Sequence, residues 1–177
     1  MKTVFRVLMN VSFVLFFAAQ TAQCQTDAGK EQSESFKYNL GFGAGFMTGY
    51  GLSFRYMPQK WGVQANVGPY FDGETERYSL GVTFLYKLIE SEKAGFYLYQ
   101  GNHYMYNTYM DYIYAGPKQG EPFEVKRMEE YINSGVGMGV EVILADRLGL
   151  NFMAGYGFYD NFNRLNITGE TAFYFKF

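Results

Sequence analysis

Few residues in this 177-residue chain are of a kind that does chemistry. There is one His, His103, in Gly101-Asn102-His103-Tyr104, and one Cys, Cys24. A lone Cys supports neither a disulfide framework nor a metal cluster. The Gly residues alternate through extended segments and do not gather into a phosphate-cradling turn. No catalytic residue, cofactor site or metal site is therefore assigned. Three charges stand out, Arg55, Glu141 and Glu170, each on the small or polar face of an alternating segment. The remaining concentration of chemical groups is a long stretch from about Tyr104 to Glu130. Tyr104, Tyr106, Tyr109, Tyr112, Tyr114 and Phe123 occur there with Asp111, Glu121, Glu124, Glu129 and Glu130. Tyr is a favoured contact residue at interfaces, so Tyr106, Tyr109, Tyr112, Tyr114 and Phe123 are candidate interaction residues. The alternative is that these rings stack across a projecting hairpin.

The elements that must position these groups are strands. From Phe36 onward, apolar and small or polar residues alternate with a period of two. Phe36, Tyr38, Leu40, Phe42, Ala44 and Phe46 alternate with Lys37, Asn39, Gly41, Gly43 and Gly45. The same grammar recurs from Tyr50, Trp61, Tyr78, Ile132, Leu148 and Ile167. A segment from Gly95 to about Asn107 carries Tyr on both faces, so its facing stays open. The pattern predicts about eight strands of roughly ten residues each. Pro58–Lys60, Glu90–Lys93 and Ala145–Arg147 are short connections on one side. The Tyr104–Glu130 stretch is read as a long extracellular loop on the other side, and the connection near Met47–Gly49 is unusually short for that side.

Composition narrows the class. Charged residues are 18% and aromatics 20%, with 17 Tyr, 18 Phe and 21 Gly. That is poor in charge and rich in aromatic rings for a soluble domain. A soluble barrel would turn its apolar face inward and show water the Gly, Ser, Asn and Thr face. Exposed strands normally carry Lys, Glu, Arg or Asp there, and Gly weakens them. The outward apolar set contains no charge, as a bilayer selects. By parity, Arg55, Glu141 and Glu170 then point into a narrow interior. There they are expected to form a salt-bridged plug, with an Arg55–Glu141 pair and Glu170 as a competing or third partner. A gated proton or ion path is the alternative.

The last twelve residues, NITGETAFYFKF, end on Phe173, Phe175 and Phe177 along one face. This ending resembles the C-terminal assembly signal of Gram-negative outer-membrane β-barrels. With about eight strands, residues 36–177 resemble the small barrels of the OmpA/OmpX type. The resemblance implies an antiparallel up-and-down transmembrane barrel, outer-membrane lipid around it, and barrel-assembly machinery as a partner through the last strand. It implies function less well: a structural or surface-interaction role, with a lipid-modifying enzyme or a small-solute or ion transporter as alternatives. Some barrels of this kind are lipid-modifying enzymes that use His with Ser or Asp. The deacylase-like pattern of Ser and Asn after the His is missing, because Tyr104, Met105 and Tyr106 follow His103.

Ahead of the barrel, Lys2 and Arg6 precede the apolar run Val11–Ala19, the pattern of a signal peptide for Sec export. Residues 1–24 are read as that segment, and residues 25–35 as a flexible polar lead-in. Lipidation of Cys24 is the alternative to cleavage after it, and Gln23 fits a lipobox poorly. Loss of Lys2 and Arg6 would take the formal charge from −2 to −4, which excludes a basic nucleic-acid binder as the default.

Overall fold

The computed structural model describes residues 36–72, 75–91, 93–113, 123–145 and 147–177. The expected signal segment, the polar lead-in and Tyr114 lie outside the described residues. Eight strands follow in order: β1 (Tyr38–Gly45), β2 (Gly51–Tyr56), β3 (Trp61–Asp72), β4 (Thr75–Glu90), β5 (Ala94–Ile113), β6 (Phe123–Ala145), β7 (Leu148–Tyr159) and β8 (Arg164–Lys176). Each pairs antiparallel with its chain neighbours, and β8 returns to β1 to close the barrel. The closing seam continues past β8, where Tyr38 and Phe177 exchange two backbone hydrogen bonds of 3.2 and 2.9 Å. Closure leaves no free edge, the condition a sheet must meet in lipid.

The faces are inverted relative to a soluble barrel. Phe42, Leu52, Val67, Leu80, Val136, Phe152 and Phe173 are exposed, while Asn39, Ser53, Gln64, Asn66, Thr83, Asn151 and Thr168 are buried. An apolar outer wall around a polar interior is stable only where lipid, not water, surrounds it. The fold is thus a transmembrane barrel. Phe173, Phe175 and Phe177 lie on that outer wall. Aromatic rings mark its two ends. Tyr38 stacks on Tyr56 and Phe177 at 5.0 and 6.0 Å, and Trp61 meets Tyr86 at 4.7 Å. At the other end Tyr78 meets Phe71 and Tyr106 at 5.4 and 5.9 Å. β5, ambiguous in sequence, turns Tyr97, Tyr99 and His103 inward. Gly139 and Gly137 of β6 pair with those two Tyr and make room for their rings.

Two elements differ from the sequence reading. The stretch from Tyr104 to Glu130 is mostly ladder, not loop: β5 and β6 stay paired from Ala94–Val142 up to Ile113–Phe123. Charges such as Asp111, Glu124 and Glu129 do not end a strand once it stands clear of the hydrocarbon. The aromatic and β-branched residues between them sustain it. The short connection between β1 and β2 folds into the barrel. Met47 and Thr48 at its tip are fully buried. Tyr50 turns in with it, its ring 6.1 Å from His103, so the outward alternation of this strand begins at Leu52 and not at Tyr50. Gly49 and Gly51, at φ of 80° and 113°, make the reversal that shifts the alternation.

Candidate functional site

The interior is layered. Towards the end marked by Tyr38, Tyr56 and Trp61, Arg55 is fully buried and its guanidinium reaches Glu141 at 2.6 Å. Its Nε and second amino group donate to Gln64 Oε1 at 3.2 and 2.9 Å. The guanidinium plane lies over the Tyr174 ring at 4.3 Å, with Tyr97 at 5.5 Å. Glu141 has a second cation, Lys176 of β8. Every charge in the layer thus meets an opposite charge, which a desolvated interior requires.

Glu170, expected near this pair, is elsewhere. Its carboxylate caps the inserted turn. It accepts the Met47 and Thr48 backbone N–H groups at 3.2 and 2.9 Å, the Thr48 hydroxyl at 2.5 Å and the Thr168 hydroxyl at 3.1 Å. Two successive N–H groups converging on one anion form a small backbone nest. The place of third partner to Arg55 and Glu141 falls to Lys176, because the turn brings enough donors to occupy Glu170 completely. Side chains then join the two layers. Gln64 donates to Asn66 Oδ1 at 3.2 Å, and Asn66 donates to the Gly49 carbonyl at 3.1 Å. Ser53 bridges Asn66 at 2.5 Å and the Tyr174 hydroxyl at 2.7 Å.

His103 has a partner that its own stretch of sequence does not contain. Ser79 Oγ lies 2.9 Å from His103 Nε2. The other ring nitrogen, Nδ1, is 2.9 Å from the Phe46 carbonyl. A carbonyl only accepts, so Nδ1 carries the proton and Nε2 accepts from the Ser79 hydroxyl. Ser79 Oγ in turn accepts the Tyr50 N–H at 3.0 Å. Both side chains are buried and both bind backbone of the inserted turn, one at each end of it. Among the described residues a backbone carbonyl, not a carboxylate, stands behind the imidazole. Asn133 adds a donor to the same Phe46 carbonyl at 3.3 Å. Small residues opposite the turn complete its seat. A Cβ at Gly81 would overlap the Thr48 carbonyl, and one at Gly101 would sit 2.7 Å from the Met47 oxygen.

Above the last β6–β7 pair, Ser134 with Phe158, the β5–β6 hairpin stands without a β7 neighbour. Its candidate residues divide between two faces. Tyr106 and Tyr112 continue the outer wall. Tyr109 is on the opposite face, where its hydroxyl donates to Glu129 at 2.9 Å. Tyr131 donates to the other oxygen of Glu129, and Arg127 pairs with Asp111 at 2.6 Å. The Tyr131 and Tyr109 hydrogen bonds hold the Glu129 carboxyl below the usual range. The Tyr131 phenol is pushed up to about 12, first by that same bond.

No protein-family model matches this chain, and no curated protein matches it in sequence. Among solved structures it is similar to the N-terminal β-barrel domain of Pseudomonas aeruginosa OprF. Identity there is 11%, over 83% of this chain and 100% of that one, with a TM-score of 0.46. It is also similar to Neisserial surface protein A, at 14% identity over 79% and 94%, TM-score 0.45. Ail, the attachment invasion locus protein of Yersinia pestis, is similar at 14% identity over 81% and 95%, TM-score 0.38. These are likenesses of fold, at identities too low to transfer a role.

Proposed function

We propose that this protein is a non-enzymatic barrel of the Gram-negative outer membrane that works through the surface of its β5–β6 hairpin. The hairpin is the observation that carries this reading. β5 and β6 are 20 and 23 residues long, against 8 and 6 in β1 and β2. The excess stands clear of the belt formed by Tyr78 and Tyr106 and presents Tyr, Glu, Asp and Arg together. Transport is disfavoured because the inserted turn and the Arg55 layer occupy the interior, and an eight-stranded barrel has little room beyond its own side chains. Acyl chemistry is disfavoured although Ser79 and His103 touch. Ser79 Oγ is buried and already accepts an N–H, and both residues serve the turn. The assembly role of Phe173, Phe175 and Phe177, the signal cleavage and Sec export belong to the same reading.

The test replaces residues 109–123 by a tight turn and compares intact cells carrying each form. The full-length hairpin should retain a surface partner or soluble ligand that the shortened form loses, with equal heat-modifiable folding and no conductance from either. Single-channel currents from the unaltered protein, or identical binding by both forms, would overturn the reading.

A further inference from the structure

Among the described residues the mid-depth outer wall is apolar apart from Thr171, whose hydroxyl is bonded to the Asn151 carbonyl, and one cluster of polar side chains. Gln100 and Asn102 of β5 and Ser134 of β6 share the outward face. Gln100 and Asn102 pair across β4 with Phe84 and Val82, both exposed. Asn102 pairs on its other side with Ser134, which pairs with the exposed Phe158. The depth is fixed by neighbours. Phe84 and Val82 lie on β4 between the belt residues Tyr86 and Tyr78, so the polar group sits inside the hydrocarbon band, not at its rim. Val82, Phe84, Tyr104, Ile132, Val136 and Phe158 ring it.

The three side chains bind one another. Gln100 Nε2 donates to Asn102 Oδ1 at 2.9 Å and to Ser134 Oγ at 3.3 Å. Asn102 Nδ2 donates to Gln100 Oε1 at 3.1 Å, and the Ser134 hydroxyl to Asn102 Oδ1 at 2.9 Å. The set is not saturated. Asn102 uses one of its two amide hydrogens on Gln100, and Gln100 Oε1 keeps a lone pair. Lipid tails offer nothing to either, and polar groups in hydrocarbon are costly unless bonded.

We propose that this island is an interface between two copies of this chain, side by side in the membrane about a two-fold axis along its normal. Three features favour that occupant. The island is neutral, so it has no electrostatic hold on an anionic headgroup. Its free capacity is one amide donor and one amide acceptor, which is self-complementary. Every copy of one chain enters the bilayer with the same orientation and at the same depth. A two-fold axis along the normal therefore brings each island to its own image, as isologous pairing requires. The exposed rings and branched residues around it supply the apolar rim.

The experiment uses the full barrel in lipid vesicles, with energy transfer between donor- and acceptor-labelled copies across a series of protein-to-lipid ratios. The unaltered protein should show a saturable dimer. Asn102→Leu together with Gln100→Leu should weaken it about tenfold, the scale of polar contacts between membrane segments. The leucine form should fold at least as well as the parent when dilute, since it faces lipid better. Its heat-modifiable band checks this. As a second reading, Val136→Cys beside the island should cross-link into dimers, whereas Phe42→Cys on the β1 wall should not. Monomers at every ratio, or equal cross-linking from both cysteines, would overturn the proposal. So would cross-links in native membranes to a different protein only.

Discussion

Two connections at the same end of this barrel take opposite directions. Between β1 and β2 the strands are 8 and 6 residues long, and the chain dives into the lumen at Met47–Gly49. Between β5 and β6 the strands are 20 and 23 residues, and the chain rises out of the membrane. The difference follows from side chains, not from length alone. The inward turn has small or apolar tips, Met47 and Thr48, and an interior carboxylate to bind its backbone. The outward hairpin carries Asp111, Glu124, Arg127 and Glu129, which belong in water; Arg127 pairs there with Asp111, and Glu129 accepts from Tyr109. One wall closes the barrel and the other displays it. Breaking the first should cost stability, and breaking the second should cost recognition.

The largest effect is expected where the low wall is anchored. Glu141 serves two cations, Arg55 and Lys176. Glu141→Gln should therefore lose about 3–5 kcal/mol in denaturant titration from lipid vesicles, because the buried Arg55 and the half-buried Lys176 lose their partner. Arg55→Met should cost less, since Lys176 still neutralises Glu141. The double variant should be milder than the sum of the single ones. Additive losses would mean that Arg55 and Glu141 do not depend on each other, and the low wall would then owe its closure to the turn alone.

A middle-sized effect tests the turn itself. Glu170→Gln keeps the shape but gives up the charge in four hydrogen bonds. Charge-assisted bonds are each worth about 1.5–3 kcal/mol, and the amide retains part of that, so a net loss of about 2 kcal/mol is expected. The loosened turn should also admit ions. Planar-bilayer recording should show currents that the unaltered protein lacks. A destabilised yet silent variant would mean that the Arg55 layer alone seals the lumen, and the contrast between the walls would lose its functional content.

Neither wall was fully legible in sequence. Parity placed Phe42, Leu52, Val82, Val136 and Phe173 on the outer face because a period of two needs no knowledge of partners. β5 resisted because Tyr occurs at both parities. Its facing becomes clear only when register sets Tyr97 and Tyr99 against Gly139 and Gly137. The Ser79–His103 contact was hidden for the same reason. It joins residues of two strands, yet counting back from the Glu90–Lys93 connection brings His103 opposite Gly81, two residues from Ser79. Arg55 and Glu141 could be set on facing walls by counting strands. Glu170 could not be resolved in that way, since its partner is the backbone of a turn that gives no sign of its direction beyond its shortness and its Gly49 and Gly51.

The smallest effect belongs to the tall wall and should leave the barrel untouched. Glu129 is held ionised by two phenols, Tyr131 and Tyr109, so its folded pKa is depressed. A depressed carboxyl contributes above its unfolded pKa, and the contribution is lost as pH falls through the lower folded value. Acid should thus release both hydroxyls and loosen the foot of the projecting hairpin, seen as faster amide exchange at residues 107–111. The heat-modifiable mobility of the barrel should not change over the same range. The reciprocal effect falls on Tyr131, whose phenol is pushed up to about 12 chiefly by the same bond. Glu129→Gln should return it towards the ordinary value near 10, read as the phenolate absorbance that a Tyr131→Phe background lacks. Amide exchange there that tracks global unfolding in acid would show that the tall wall is not an independent display but part of the closed lumen's stability.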